Sequence, residues 1–202
     1  MDRNKKLIVT SSVFCALSVI NAIVYIALIV SRVLPSEGKA YFMLVSSVAV
    51  FWAPVLIEKI FKIKWNYAVV LVFDVFVSCA LIAGAIWNVY AAWFYFDKII
   101  HFASGIVAAM IAYNLFNSSK KGSLSLPWLF VLAFSASMAI GGIWEICEFT
   151  FDGLFGDNTQ RWMDLVGREV LMDTMKDLIC DCCGSVLGGV CVILLERRRL
   201  HK

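Results

Sequence analysis

Residues 7–30, LIVTSSVFCALSVINAIVYIALIV, carry no charged side chain. As an α-helix rising about 1.5 Å per residue, the run extends roughly 36 Å, enough to cross a hydrocarbon core of about 30 Å. The basic cluster Arg3, Lys5 and Lys6 precedes it, an arrangement that a secretory leader also has. The apolar run is too long for a leader, however, and no small-x-small cleavage pattern follows it. It reads as an uncleaved first membrane span.

Outward from this run, further apolar segments cover about 41–57, 66–87, 97–116, 127–149 and 173–195, the first occupying about 7–31. The expected fold is all-α: a polytopic transmembrane helical bundle of six spans in one integral membrane domain, 1–202. Composition agrees, since 61% of the 202 residues are hydrophobic against about 45–50% in soluble domains. Mean hydropathy is +0.83. Pro127 opens the fifth segment, where a first-turn proline is tolerated, and Pro54 sits near the end of the second.

Charge placement sets the orientation. With six spans, one face receives Arg3, Lys5, Lys6, Lys59, Lys62, Lys64, Lys120, Lys121, Arg197, Arg198, Arg199 and Lys202, twelve of the 18 Lys and Arg residues. Basic loops stay cytoplasmic, so both termini are expected inside, and the 150–172 connection outside, lying on the membrane surface or capping the bundle. The formal charge of +3 therefore reflects loop placement. No basic stripe with interleaved aromatics, zinc finger or phosphate-binding loop indicates nucleic acid. All seven cysteines lie in apolar runs, which argues against the disulfide framework of a secreted protein.

Three segments carry ionisable groups into apolar surroundings. The fourth span opens WFYFDKIIHFASG with Asp97, Lys98 and His101; the fifth closes GGIWEICEF with Glu145 and Glu148; the sixth opens MDTMKDLICDCCG with Asp173, Asp177 and Asp181. Steps of three and four place each set on one helix face, and the six-span topology brings all three to one level in the outer half of the bilayer. Ionisable groups at such depth are costly and face a cavity or a partner. Carboxylates with a histidine form a ligand set for Mg²⁺, Mn²⁺ or Zn²⁺, and a bound ion could activate water or clamp a phosphate oxygen. The expected metal ligands are Asp97, His101, Glu145, Glu148, Asp173, Asp177 and Asp181, with His101, Asp97, Glu145 and Glu148 as the catalytic candidates.

Plainer readings stand beside these. Asp97 and Asp173 read equally well as helix N-caps. Asp74, midway along the third span, reads as a proton-relay group or as an acid bonded to a neighbouring helix. Cys180, Cys182 and Cys183 lack a second ligand pair at zinc spacing and read as small buried residues. Gly184, Gly188 and Gly189 read as helix-contact positions.

The motifs Asp97-Lys98-x-x-His101-Phe102-x-x-Gly105, Trp144-Glu145-x-x-Glu148 and Asp173-Thr174-x-x-Asp177 with a following Gly184 resemble the YjdF-like family of uncharacterised bacterial inner-membrane proteins, over roughly residues 66–190. The Asp-Lys-x-x-His start is also similar to that of VanZ-like membrane proteins. The resemblance implies a multi-pass protein of the bacterial plasma membrane and a site at these residues, without implying a reaction. The Arg-Pro and Ser-Gly-His elements of phosphatidic-acid-type phosphatases are absent, as is the Asp-Gly and Ala-Arg pair of CDP-alcohol phosphotransferases.

Three functions fit these residues. The first is a metal-dependent hydrolase or transferase acting on a lipid or lipid-linked phosphate at the outer leaflet. The second is a proton- or cation-coupled transporter or channel, with Asp74 as a second station. The third is a structural partner of another membrane protein.

Overall fold

The computed structural model describes residues 3–34, 38–119 and 124–200; Lys120, Lys121 and Lys202, used above to set orientation, lie outside the described residues. Among the described residues all regular structure is helical: α1 (Arg3–Val30), α2 (Gly38–Val50), α3 (Ala53–Phe61), α4 (Tyr67–Val77) continued by a π-helical stretch (Ser78–Ile86), α5 (Val89–Ala92), α6 (Phe94–Ser119), α7 (Leu126–Phe155) and α8 (Arg168–Leu200). Five of these stretches are long and apolar enough to cross a membrane: Lys5–Val30, Tyr67–Ile86, Phe94–Asn117, Leu126–Phe155 and Arg168–Arg198. The pair Leu44–Val50 and Ala53–Phe61, bent by 44°, makes a sixth if it counts as one span.

That bend is where the expected 41–57 span differs from the structure. Pro54 stands in the first turn of α3. A proline cannot donate the backbone hydrogen bond that would continue α2. The chain breaks at Phe51–Trp52 and restarts. Lys62, at φ 55°, then ends α3 in the left-handed region, and the Trp65 indole donates back to the Pro54 carbonyl at 2.8 Å.

The chain divides into two compact units, with the boundary inside α6 between Phe96 and Asp97. In the first unit, Tyr25, Leu44 and Ile86 form a small apolar core. Polar side chains pair around it: the buried Ser18 with Ser47 at 2.6 Å, and the exposed Trp87 indole with Asn21 Oδ1 at 2.6 Å. Asp74 is fully buried, and neither of its carboxylate oxygens has a hydrogen-bond partner among the described residues. One turn later the helix widens to the π form, an uncommon geometry often met at functional sites.

The second unit packs α7 and α8 with α6 from Asp97 onward. The buried residues of α7 are Leu129, Ala133, Ser137, Gly141, Glu145 and Asp152, which repeat mainly every four residues. Ile140, Ile143, Ile146 and Phe149 are exposed instead. Polar groups point inward and aliphatic ones outward, as an apolar solvent requires. Small residues let the backbones approach. A Cβ placed on Gly105 would stand 2.5 Å from the Asp181 carbonyl oxygen, one on Gly184 would overlap the Phe102 carbonyl, and one on Gly141 would stand 2.5 Å from Asp181 Oδ2. Gly188 and Gly189 likewise abut Ala109 and Phe130, in keeping with their reading as contact positions. Below this crossing, Ser185 donates to Ser137 at 2.7 Å and Ser137 to the Gly105 carbonyl at 2.7 Å. Ala109, Leu129, Ala133 and Val192 form the apolar core.

Gly184→Ala forces α6 and α8 apart and is expected to cost about 1–3 kcal/mol as an overpacked contact. Gly142→Ala, where a Cβ meets nothing within 4 Å, should leave stability unchanged or slightly raised; thermal unfolding in detergent reads both.

Candidate functional site

The first turns of α6 supply Asp97, Lys98, His101 and Ser104; the middle of α7 supplies Glu145; and the first half of α8 supplies Asp173, Asp177 and Asp181. All lie in the second unit. Four-residue steps on α8 turn its three aspartates to one side, and the Gly105–Gly184 crossing brings that side against α6.

Lys98 gathers the outer layer. Its Nζ lies 3.1 Å from Asp97 Oδ2, 2.7 Å from Asp173 Oδ1 and 2.7 Å from Asp177 Oδ2. Arg161 Nε stands 3.9 Å from Asp173 Oδ2. His101 organises the inner layer. Its Nδ1 is 3.1 Å from Asp181 Oδ2, and an ionised carboxylate can only accept, so Nδ1 carries the proton of that bond. Asp181 Oδ1 in turn accepts from Ser104 Oγ at 2.6 Å. The opposite nitrogen, Nε2, faces Asp97 Oδ1 at 3.7 Å, Glu145 Oε1 at 3.7 Å and Asp177 Oδ1 at 3.8 Å. These separations exceed a hydrogen bond.

Glu145 and Asp177 are 5% and 3% exposed, and the oxygen that each turns toward Nε2 has no hydrogen-bond partner among the described residues. Their other oxygens are engaged: Asp177 Oδ2 by Lys98, and Glu145 Oε2 by Gln160 Nε2 at 3.2 Å. Asp97, His101 and Asp177 each offer a ligand atom, all within 4.8 Å of one another, the spacing of a small acid–histidine cluster that could hold a metal ion.

The family described as "Predicted membrane protein (DUF2238)" matches residues 16–198. The chain belongs to the DUF2238 family. An "Uncharacterized protein" of Thermotoga maritima is 31% identical over 140 residues, covering 67% of this chain and 69% of the relative. No solved structure matches the chain. The chain is thus an integral membrane protein of a family defined by sequence.

Within this DUF2238 chain, the sequence-predicted site residues separate into three groups. Asp97, His101, Glu145 and Asp177 converge on the space before Nε2. Asp181 lies behind the imidazole, and Asp173 sits in the outer layer on Lys98. Glu148 is half-buried, and its Oε1 accepts from the Trp144 indole at 2.7 Å; it remains an electrostatic neighbour of Glu145, His101 and Asp97. Cys180 and Cys182 are half-buried and Cys183 is exposed, so the expectation of three small buried cysteines does not hold.

Sequence reasoning passed over Ser104, Asp152 and Gln160. The expected 150–172 connection is shorter in the structure, because α7 runs on to Phe155 and ends at Gly156, whose φ of +66° terminates it, while α8 begins at Arg168. Asp152 therefore lies on the buried side of a helix, not in a loop. A buried acid one turn past Glu148, with Thr159-Gln160 following within hydrogen-bonding reach of its carboxylate, was the available signal.

Lys98→Met leaves three carboxylates without their shared cation. Breaking a buried ion pair on one side costs about 3–5 kcal/mol, so a loss of that order is expected in denaturant-monitored stability. Glu148→Gln removes a negative charge beside Glu145 and can keep the Trp144 bond, so it should cost clearly less than Lys98→Met.

Proposed function

We propose that this DUF2238 protein is a metal-dependent hydrolase or transferase of the bacterial inner membrane, acting on a lipid or lipid-linked phosphate at the outer leaflet. The observation carrying the reading is the pair of buried, unpartnered oxygens of Glu145 and Asp177, both turned toward a histidine nitrogen whose far side is fixed by Asp181. Carboxylate oxygens gathered around His101 Nε2 call for positive charge between them, which either a proton on Nε2 or a bound metal ion supplies, and the reading adopted here is a metal ion. The distances suit one. Ligands at about 2.1 Å around tetrahedral Zn²⁺ stand about 3.4 Å apart; the oxygens here stand 3.7–3.8 Å from Nε2, and the ligand atoms of Asp97, His101 and Asp177 lie within 4.8 Å of one another, so the carboxylates would close in on a bound ion.

Asp97, His101 and Asp177 would hold the ion, and Glu145 would flank it as a fourth ligand or as the general base that takes a proton from water. When bound, a divalent ion supplies Lewis-acid polarisation of a phosphoryl oxygen. Asp181 holds the imidazole in the Nδ1–H tautomer, the carboxylate–histidine pairing that metal-binding histidines commonly have. The basic-loop distribution supports six spans, the bent α2–α3 pair serving as the second, with both termini cytoplasmic and the cluster opening outward. The DUF2238 match is compatible with the YjdF-like resemblance and with a bacterial location.

A second reading, a proton- or cation-coupled transporter, draws on Asp74. Its two unpartnered oxygens in the first unit supply a further polar station that an outward-facing enzyme site does not need.

Metal analysis of detergent-purified protein by mass spectrometry tests the centre. The expected result is near-stoichiometric Zn²⁺ or Mn²⁺ in wild type and its loss in Glu145→Gln/Asp177→Asn, followed by metal-dependent release of phosphate from lipid phosphates. A metal-free wild type whose melting point ignores added Mg²⁺, Mn²⁺ and Zn²⁺ would sink the enzyme reading. Ion flux in proteoliposomes that disappears in Asp74→Asn would then establish the transporter.

A further inference from the structure

The segment between α7 and α8 is tied down at both levels. Asp152, 5% exposed, accepts from the Thr159 backbone N–H at 2.8 Å, from the Thr159 hydroxyl at 2.5 Å and from the Gln160 backbone N–H at 2.9 Å. Around that anchor the segment bonds to itself. The Asn158 side chain accepts from Met163 N–H at 2.8 Å and donates to Asp164 at 2.7 Å, and the Trp162 indole donates to the Asp157 carbonyl at 2.8 Å. Arg161 follows in the left-handed region at φ 55°, a conformation that a non-glycine residue holds only where its surroundings impose it.

This seating delivers the Gln160 side chain onto Glu145. Gln160 Nε2 lies 3.2 Å from Glu145 Oε2 and 3.3 Å from the Glu145 carbonyl oxygen, so one amide spans the carboxylate and the backbone of the same residue. We infer that Gln160 is a positioning residue for the metal centre, seated by Asp152, and that it holds Glu145 with one oxygen fixed and Oε1 turned to the ion. The inference rests on the metal reading above. Two features favour it. The amide is neutral, so it orients Glu145 without cancelling the charge that a cation needs, whereas a lysine or arginine would do both. Its two N–H groups also match the two oxygens it meets, leaving Glu145 one carboxylate oxygen to offer.

The test uses the full-length protein in detergent, with Zn²⁺ or Mn²⁺ alone as the probe. Affinity is measured by calorimetry, and release by the rate at which a chelator removes the ion. Partners that orient a ligand usually set affinity by 10–100-fold, so Gln160→Ala should weaken binding and quicken release within that range while the metal-free melting point stays at the wild-type value. Asp152→Asn should weaken binding by a similar factor, with some loss of stability because it is itself a buried anchor, and the double variant should bind no more weakly than the single ones, because both substitutions interrupt one chain of contacts. Wild-type protein that binds neither ion overturns the metal centre and this role with it. Wild-type binding matched by Gln160→Ala overturns the positioning role alone. A weakening in Gln160→Ala that tracks a fall in its metal-free melting point assigns the segment to folding and likewise overturns it.

Discussion

The convergence of Asp97, Asp173 and Asp177 on the Lys98 ammonium is the interaction on which the second unit depends. Two of those carboxylates belong to α8 and the cation to α6, so the contact sets rotation and depth between two helices at once. A lysine suits the task better than an arginine. Its ammonium is compact, with donors that can be directed separately toward three acceptors, whereas a guanidinium presents a planar fork matched to one or two. The glycine crossing at Gly105 and Gly184 makes the approach sterically feasible. Lys98 then makes the approach favourable, because ionised aspartates buried without a cation would hold the helices apart.

The same contact sorts oxygens. On Asp177 the atom held by Lys98 is Oδ2 and the one facing His101 is Oδ1; on Asp97 the division is again Oδ2 and Oδ1. Gln160 does the equivalent for Glu145, and Ser104 with His101 does so for Asp181. Asp177 and Glu145 are each held at one oxygen by a donor distant in sequence, Asp97 by the adjacent Lys98, and Asp181 at both oxygens, which fixes where each carboxylate points.

Much of this was legible because helical periodicity is strong in apolar segments. The four-residue steps of Asp173, Asp177 and Asp181, and of Asp97 and His101, put each set on one helix face as expected, whereas Pro54, read as lying near the end of one span, stands at the start of a separate helix after a bend. What periodicity does not tell is which of two neighbouring residues a helix turns inward. Glu145 and Glu148 are three apart, yet the buried repeat Gly141–Glu145 carries the first toward His101 and leaves the second to the Trp144 indole. The inward direction is set by the close glycine contacts, which depend on three helices together. Asp152 and Gln160 were missed for a related reason: the polar run after Phe149 reads as connection, although α7 persists for another turn and a half and converts Asp152 into a buried anchor. The π-helical stretch after Asp74 has no local signature at all, since a single additional residue per turn is accommodated by packing.

The two units also show how differently one chain can treat a buried carboxylate. Around His101, most of the buried polar atoms are matched by a donor of suitable charge and reach, and those that are not, Glu145 Oε1 and Asp177 Oδ1, share a common focus. A network whose only purpose was to hold helices together would gain by pairing every oxygen, because an unsatisfied buried acceptor costs about 1–3 kcal/mol. Leaving two such acceptors directed at one imidazole nitrogen sacrifices stability at a single point, while the surrounding lysine, serine, glutamine and glycine positions reinforce it. In the first unit, by contrast, the unpartnered buried atoms belong to Ser11, Asn21 and Asp74 and share no such focus. In the second unit the two buried carboxylate oxygens without a partner among the described residues both face His101 Nε2, and that common focus is the observation from which the proposed cation site starts.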